Sequence, residues 1–145
     1  MIALLQRLTE AGVEIDGERV ASIGSGLLVL VGVRPADDAP SALRLLDRLL
    51  QYRVFEDEAG KMNLSLLETQ GDLLLVPQFT LAADTHKGLR PGFSTAAAPA
   101  QGRQLFDTLI QAARARHPRV ETGVFGAHMQ VSLTNDGPVT FWLES

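Results

Sequence analysis

The chain has 145 residues, 46% hydrophobic and 21% charged, the balance of an ordinary soluble fold that is large enough for a real core. It contains no cysteine, which excludes disulfides, thiolate catalysis and cysteine-ligated zinc. A formal net charge of −4 argues against a broad nucleic-acid-binding surface and leaves room only for a local basic patch.

The opening MIALLQRLTE alternates loosely and reads as a strand over Met1–Leu8. It lacks a basic leader, its apolar stretch breaks at Gln6-Arg7, and no apolar run in the chain reaches the ~18 residues that span a membrane, so a cytoplasmic protein is expected. A second short strand, Val13–Ile15, runs into an Asp16-Gly17 turn, and Glu18–Ile23 returns as its hairpin partner. Gly24-Ser25-Gly26 forms a turn, and Leu27–Val33 is a continuous apolar run of strand length, expected to be buried on both faces. Asp37-Asp38-Ala39-Pro40 announces a helix: an aspartate can cap it and proline fits the first turn. Leu43, Leu46 and Leu50 share one face of that helix, with Leu45 and Leu49 beside them. Arg53–Phe55 is a short strand closed by Asp57-Glu58-Ala59-Gly60, and Asp72–Pro77 is the next apolar strand.

Leu81–Ala98 shows no period, and a loop of that length is often functional. Pro99 opens a second helix, whose apolar face is Leu105, Phe106, Leu109, Ile110 and Ala113, and His117-Pro118 stops it. Val120–Val124 reads as a strand, and Ala127, Met129, Val131 and Leu133 alternate as a half-buried one. Asn135-Asp136-Gly137 then reads as a hairpin turn before a last strand, Val139–Leu143. Pro138 has no N–H for a ladder, so either the ladder begins one residue later or the Gly-Pro unit is displayed for a purpose. About seven strands and two helices, mostly joined by short connections, make a single α+β domain over residues 1–145, with a largely antiparallel sheet system and helices packed on one side.

The usual catalytic signatures are missing: GxSxG, the P-loop, HExxH and metal-ligand spacing. His86, His117 and His128 fall in a loop, at a helix end and in a strand, ordinary places for structural or surface histidines. Arg114, Arg116 and Arg119 read as a cationic helix end that favours the helix dipole. Two polar-tipped strand ends stand out. One is Pro77-Gln78-Phe79-Thr80-Leu81 with the loop that follows, and the other is Gly137-Pro138 with Thr140. Both threonines are also ordinary β-branched strand filling, and neither has an evident base beside it.

The stretches MIALLQR, GLLVLVGV, YRVFEDEAGKMNLSL, QFTLAADTHKGLRPGFS and MQVSLTNDGPVTFWLES, in that order and spacing, resemble the D-aminoacyl-tRNA deacylases over essentially the full length. The resemblance implies layered, barrel-like sheets with helices on one side. It implies a homodimer with active sites at the subunit interface and no metal or organic cofactor. The reaction implied is hydrolysis of the ester between a D-amino acid, or mischarged glycine, and the 3′-terminal adenosine of tRNA. By the same resemblance Gly137-Pro138 is a cis peptide inserted into the neighbouring subunit's pocket, where its carbonyls exclude an L side chain. Arg7 braces that unit, Gln78, Phe79 and Thr80 line the pocket, and Met129 lines it too or is an ordinary core methionine. Main-chain N–H groups near Phe79 and Thr80 hold the substrate or its oxyanion, with the substrate's 2′-hydroxyl assisting rather than a Thr80 nucleophile. Lys87 and Arg90 are candidates for phosphate contact at the acceptor end. Two positions depart from the family pattern. Pro77 replaces a usual serine, as in a sister group that removes L-alanine from threonine tRNA, and His128 replaces a commonly acidic residue. This chain keeps Phe79, where that sister group has alanine, which favours the D-specific alternative.

Overall fold

In the computed structural model, which describes residues 1–145, the opening of the chain is one long strand rather than two. β1 (Ile2–Ile15) turns at Asp16-Gly17 into β2 (Glu18–Ile23). Both turn residues have positive φ, 51° and 80°, the geometry that matches the twist of a two-residue hairpin. β3 (Gly26–Gly32) follows, then α1 (Ala39–Gln51), the short ribbon β4 (Phe55–Glu56) and β5 (Met62–Leu64), and the single turn α2 (Leu66–Thr69). After β6 (Asp72–Pro77) come a 3-10 turn over Phe79–Ala82, α3 (Pro99–Arg116), β7 (Val120–Thr122) and β8 (Gln130–Glu144).

The sheet is mixed. β1 pairs antiparallel with β2, β3 and β8, whereas β3–β6 and β6–β7 are parallel. The sequence reading of a largely antiparallel sheet holds for the strands around β1 alone. From β3 to β6 and from β6 to β7 the chain crosses over through a helix, and a crossover returns the strand in the same direction. β3 and β2 share one edge of β1 in succession, β8 takes the other, and β2 reaches across to β6 and β7, so the sheet curls into a nearly closed, barrel-like layer.

One face of this sheet carries α1 and α3. Ala3, Leu5, Leu27, Val29, Leu73 and Leu75 meet Leu45, Leu46 and Leu49 of α1 and Phe106 and Leu109 of α3. Asp38 caps α1 through Ser41, whose side chain answers in a reciprocal box, and Pro40 lies in the first turn as expected. Leu43 is exposed, so the buried face of α1 is Ala42, Leu45, Leu46, Leu49 and Leu50. On the opposite face Leu8, Ala11, Val13, Leu28, Leu74 and Val76 form a second cluster. β1 reaches this face through Leu8 by ordinary alternation and through Ala11 and Val13 because of a bulge at Thr9. Leu8 pairs with Asn135 and Glu10 with Thr134, so β1 carries one extra residue and its side chains change face beyond it.

The expected Asn135-Asp136-Gly137 hairpin does not form. β8 runs antiparallel to β1 along its whole length, from Gln130 opposite Glu14 to Glu144 opposite Ile2. Opposite the single residue Arg7, between Asn135 (facing Leu8) and Thr140 (facing Gln6), β8 bulges out by Asp136–Val139. Both halves of β8 find their partner in the long β1, so nothing requires the chain to reverse. Pro138 falls in the bulge, where no ladder donor is needed. The half-buried strand expected from Ala127 starts later, at Gln130, with Ala127 and Met129 in the preceding loop. No helix is long and apolar enough to cross a membrane.

Candidate functional site

β6 ends at Pro77, opposite Val31 of β3, and the Gln78 N–H still donates to the Val31 carbonyl at 2.7 Å. The chain then tightens: Leu81 N–H donates to Gln78 O and Ala83 N–H to Thr80 O. The N–H groups of Phe79 and Thr80 open this turn, where a helical ladder has no acceptor to offer them. The Gln78 side-chain amide donates to the Thr80 hydroxyl. A carboxamide is no base in either orientation, so Thr80 has no group beside it to take its proton. Phe79 is 55% exposed, and its ring rests on Phe93 with centroids 5.2 Å apart.

Beside this turn lies a cavity of about 430 Å³. Val33, Val76, Pro77, Phe106, Phe125 and Met129 supply apolar walls, and Gln78, Phe79 and His128 also line it. The size and apolar lining suit a small, flat ligand. Met129 therefore shares a pocket with Gln78 and Phe79. Phe106 and Phe125 were not singled out in the sequence, because Phe106 reads as an ordinary member of an amphipathic helix face. Only the fold brings Phe125 near it, with centroids 6.5 Å apart.

The loop after the turn is closed at its base by Asp84 and Gly92, which exchange backbone hydrogen bonds of 2.8 and 2.9 Å. Lys87 and Arg90 lie in this loop, exposed and unpaired with any acidic side chain. His86 closes onto Asp84 at 3.0 Å, and the His86 N–H and ring hold the Asp84 carboxyl below its ordinary range. The other basic cluster is structural. Arg116 pairs with Asp47 and Arg119 with Asp72, while His117 is buried against the Gly71 carbonyl at 2.6 Å. No three His, Asp or Glu side chains converge as a metal site would require.

Gly137 and Pro138 are exposed at the crest of the β8 bulge, and the peptide between them is cis. Gly137 has φ +144°, and a Cβ there would stand 2.6 Å from Val139 Cγ2 and 2.9 Å from Val139 N, so the position accepts only glycine. Arg7 is 6% exposed beneath the bulge. Its Nε donates to the Asp136 carbonyl at 2.9 Å and its Nη1 to the Val54 carbonyl at 2.7 Å, tying the bulge to the segment before β4. Asn135, read from sequence as a turn residue, instead spans the foot of the bulge. Its Oδ1 accepts from Val139 N–H at 2.6 Å and its Nδ2 donates to Val139 O and to Thr140 Oγ1.

Within one chain the two motifs do not meet. β8, β1, β3 and β6 are successive neighbours, which puts about 14 Å of sheet between β8 and β6 at ~4.8 Å per strand. Arg7 is level with Leu27 and Leu73, and Pro77 lies four residues farther, about 13 Å along β6. Measured along the sheet, Gly137-Pro138 and the Gln78–Thr80 turn of the same chain are thus separated by roughly 20 Å.

Comparison with known proteins agrees over the whole length. The sequence profile of the family described as D-Tyr-tRNA(Tyr) deacylase matches residues 4–144. A D-aminoacyl-tRNA deacylase of Ectopseudomonas mendocina is 65% identical over 144 residues, 99% of each chain. One of Thioalkalivibrio sulfidiphilus is 64% identical over 99% of this chain and 97% of the relative. Among solved structures, a c-Myc DNA unwinding element binding protein superposes with a TM-score of 0.95 at 38% identity, covering 100% of this chain and 99% of the other. A probable eukaryotic D-amino acid tRNA deacylase shares the fold, with a TM-score of 0.87 at 19% identity over 99% and 98% of the two chains. With a profile that covers nearly every residue and relatives close to two-thirds identical, the chain belongs to the D-Tyr-tRNA(Tyr) deacylase family.

Proposed function

We propose that this chain hydrolyses the ester linking a D-amino acid, or mischarged glycine, to the terminal ribose of tRNA, and that it rejects L-aminoacyl esters. Family membership points to the reaction class. The observation that carries the site is a pair of consecutive N–H groups, Phe79 and Thr80, at the end of β6 beside an apolar cavity.

In this reading the cavity takes the terminal adenosine, with Met129 and the aromatic walls against the base, and the ester lies across the Gln78–Thr80 turn. As water adds to the ester carbonyl, negative charge develops on its oxygen, and the Phe79 and Thr80 N–H groups are placed to receive it. The ribose 3′-oxygen leaves and takes up a proton. The neighbouring 2′-hydroxyl of the substrate serves the proton transfers, since no side-chain base stands beside Thr80. Thr80 itself holds the substrate and is not the nucleophile.

Selection comes from a second copy of the chain. The two motifs are separated by roughly 20 Å of sheet in one subunit, which supports a site to which two chains each contribute one motif. A homodimer brings the partner subunit's Gly137-Pro138 over the first subunit's turn, with active sites at the interface. The unit's backbone carbonyls then occupy the space that an L side chain needs. A D side chain points away, and glycine has none to exclude. Arg7, donating to the Asp136 carbonyl, keeps the unit stiff enough for rejection. Lys87 and Arg90, exposed and unpaired, meet phosphates of the acceptor end and compensate locally for an acidic chain. No metal or organic cofactor enters this scheme, and its substrate pool places the protein in the cytoplasm.

Pro77, in the cavity wall, supports a second reading as an editor of L-alanine on threonine tRNA. The test is amino-acid release from D-Tyr-tRNA, L-Tyr-tRNA and L-Ala-charged threonine tRNA, side by side with purified protein. Cleavage of the D ester alone is the expected result. Cleavage of the L-alanyl ester in preference would transfer the chain to the second reading, and cleavage of none would refute both.

A further inference from the structure

A bulge of four residues removes the ladder that would otherwise hold β8 in place, and the bulge contains Pro138, which has no N–H to offer. Arg7 secures the first limb alone, through the Asp136 carbonyl at 2.9 Å and, more loosely, the Asp136 carboxylate at 3.5 Å. The second limb is held by one side chain. Asn135 Oδ1 accepts from Val139 N–H at 2.6 Å, and Nδ2 donates to Val139 O at 3.3 Å and to Thr140 Oγ1 at 2.9 Å. The carboxamide thus makes the pair of hydrogen bonds with Val139 that a neighbouring strand would have made. Its orientation follows from the chemistry, because a backbone N–H can donate to Oδ1 and not to the NH2 group. Aspartate would keep the acceptor and lose both donors, and alanine would lose everything.

We infer that Asn135 is a positioning residue for chiral selection: by closing the foot of the bulge it fixes the direction in which Gly137-Pro138 presents its carbonyls. The inference rests on the reading of that unit as the L-rejecting element. Rejection by steric clash needs a rigid obstacle, since one that yields by an ångström admits what it should exclude. Asn135 and Arg7 grip opposite limbs, so removing either grip frees one side of the crest.

The experiment measures single-turnover release from D-Tyr-tRNA and L-Tyr-tRNA by the wild type, Asn135→Asp and Asn135→Ala, with chain association checked for each. The expected result is a rise of about tenfold or more in the ratio of L to D cleavage for both variants. A merely structural role would slow both esters together and leave the ratio unchanged, and that result overturns the inference. Should the Asn135 variants fail to fold, Thr140→Val carries the test. It removes one acceptor of Nδ2 and keeps the bonds to Val139, and a smaller rise in the ratio is expected, with an unchanged ratio again overturning the inference. A wild type that cleaves neither ester, or both alike, overturns the underlying reading, an outcome distinct from a selective wild type whose variants stay equally selective.

Discussion

Replacing Arg7 should destabilise the fold by an amount that can be worked from its two carbonyl partners. The bond from Nη1 to Val54 O is buried, and leaving that acceptor unmet costs about 1–3 kcal/mol. The bond from Nε to Asp136 O is partly wet and counts about 1 kcal/mol. The contacts to the Glu56 and Asp136 carboxylates are 3.8 and 3.5 Å long, with both partners more than half exposed, and add little. Arg7→Met should therefore lose about 3 kcal/mol. Arg7→Lys should lose about half of that, because one ammonium on a shorter stem can meet one carbonyl but not two. At roughly 3 °C per kcal/mol for a chain of this size, the methionine variant should melt about 9 °C lower. Urea unfolding read by the single tryptophan, Trp142, at matched protein concentration measures the difference directly. A methionine variant within about 1 kcal/mol of wild type, or a lysine variant no less stable than wild type, would refute the claim that Arg7 ties the bulge to the Val54 segment.

Other consequences can be checked with single substitutions. Gly26→Ala should destabilise by about 3 kcal/mol or prevent folding, because an added Cβ would meet the Asp72 backbone, 2.6 Å from its N and 2.7 Å from its C, where β3 first pairs with β6; urea titration reads it. Thr80→Ala should retain substantial D-ester turnover, while a 2′-deoxy substrate should be cleaved about a hundredfold more slowly or worse, the lower end of general acid–base assistance, and equal rates on the two substrates would exclude that assistance. Hydrogen bonds from Arg34 and then Trp142 lower the Glu144 carboxyl to about 2. Its contribution to stability is accordingly present above the unfolded value near 4.5 and lost as pH falls towards 2. Melting curves of Glu144→Gln and wild type should differ at neutral pH and converge by about pH 2.

Much of the scaffold is legible in the sequence because local signals and tertiary packing agree. The Asp38 cap with Pro40 marks the start of α1, the 18-residue α3 begins at Pro99, and the apolar runs of β3 and β6 keep their expected places. The errors arise where a distant partner decides. Asn135-Asp136-Gly137 carries every residue of a hairpin turn, yet β1 is long enough to pair with both flanks, and the turn becomes a bulge. Parallel pairing of β3, β6 and β7 depends on how α1 and α3 cross the sheet, which no residue periodicity records. Leu43 fits the apolar spacing of α1 and still faces solvent, because the sheet and α3 cover only the face of Ala42, Leu45, Leu46, Leu49 and Leu50.

The same division holds at the site. Gln78, Phe79 and Thr80 stand out as polar and aromatic residues just past a buried strand; Gln78 and Phe79 line the cavity together with Met129, and Thr80 lies on the turn beside it. Phe106 and Phe125 enter it from a helix and a loop whose meeting only the fold creates. Arg7 and Gly137-Pro138 are 130 residues apart in sequence and become neighbours through the pairing of β1 with β8. The role of Asn135 could not be read before the bulge was seen, since its carboxamide acts on residues that a hairpin would have placed in a different ladder.

A site shared between two subunits is tested most directly by a crystal structure with the stable amide analogue 3′-(D-tyrosylamino)-3′-deoxyadenosine. Adenine is expected in the cavity beside Met129 and Phe125, the acyl oxygen within hydrogen-bonding distance of Phe79 and Thr80 N–H, and Gly137-Pro138 of a second chain against the α-carbon. Adenosine bound elsewhere, or an α-carbon that no second chain approaches, would contradict such a site.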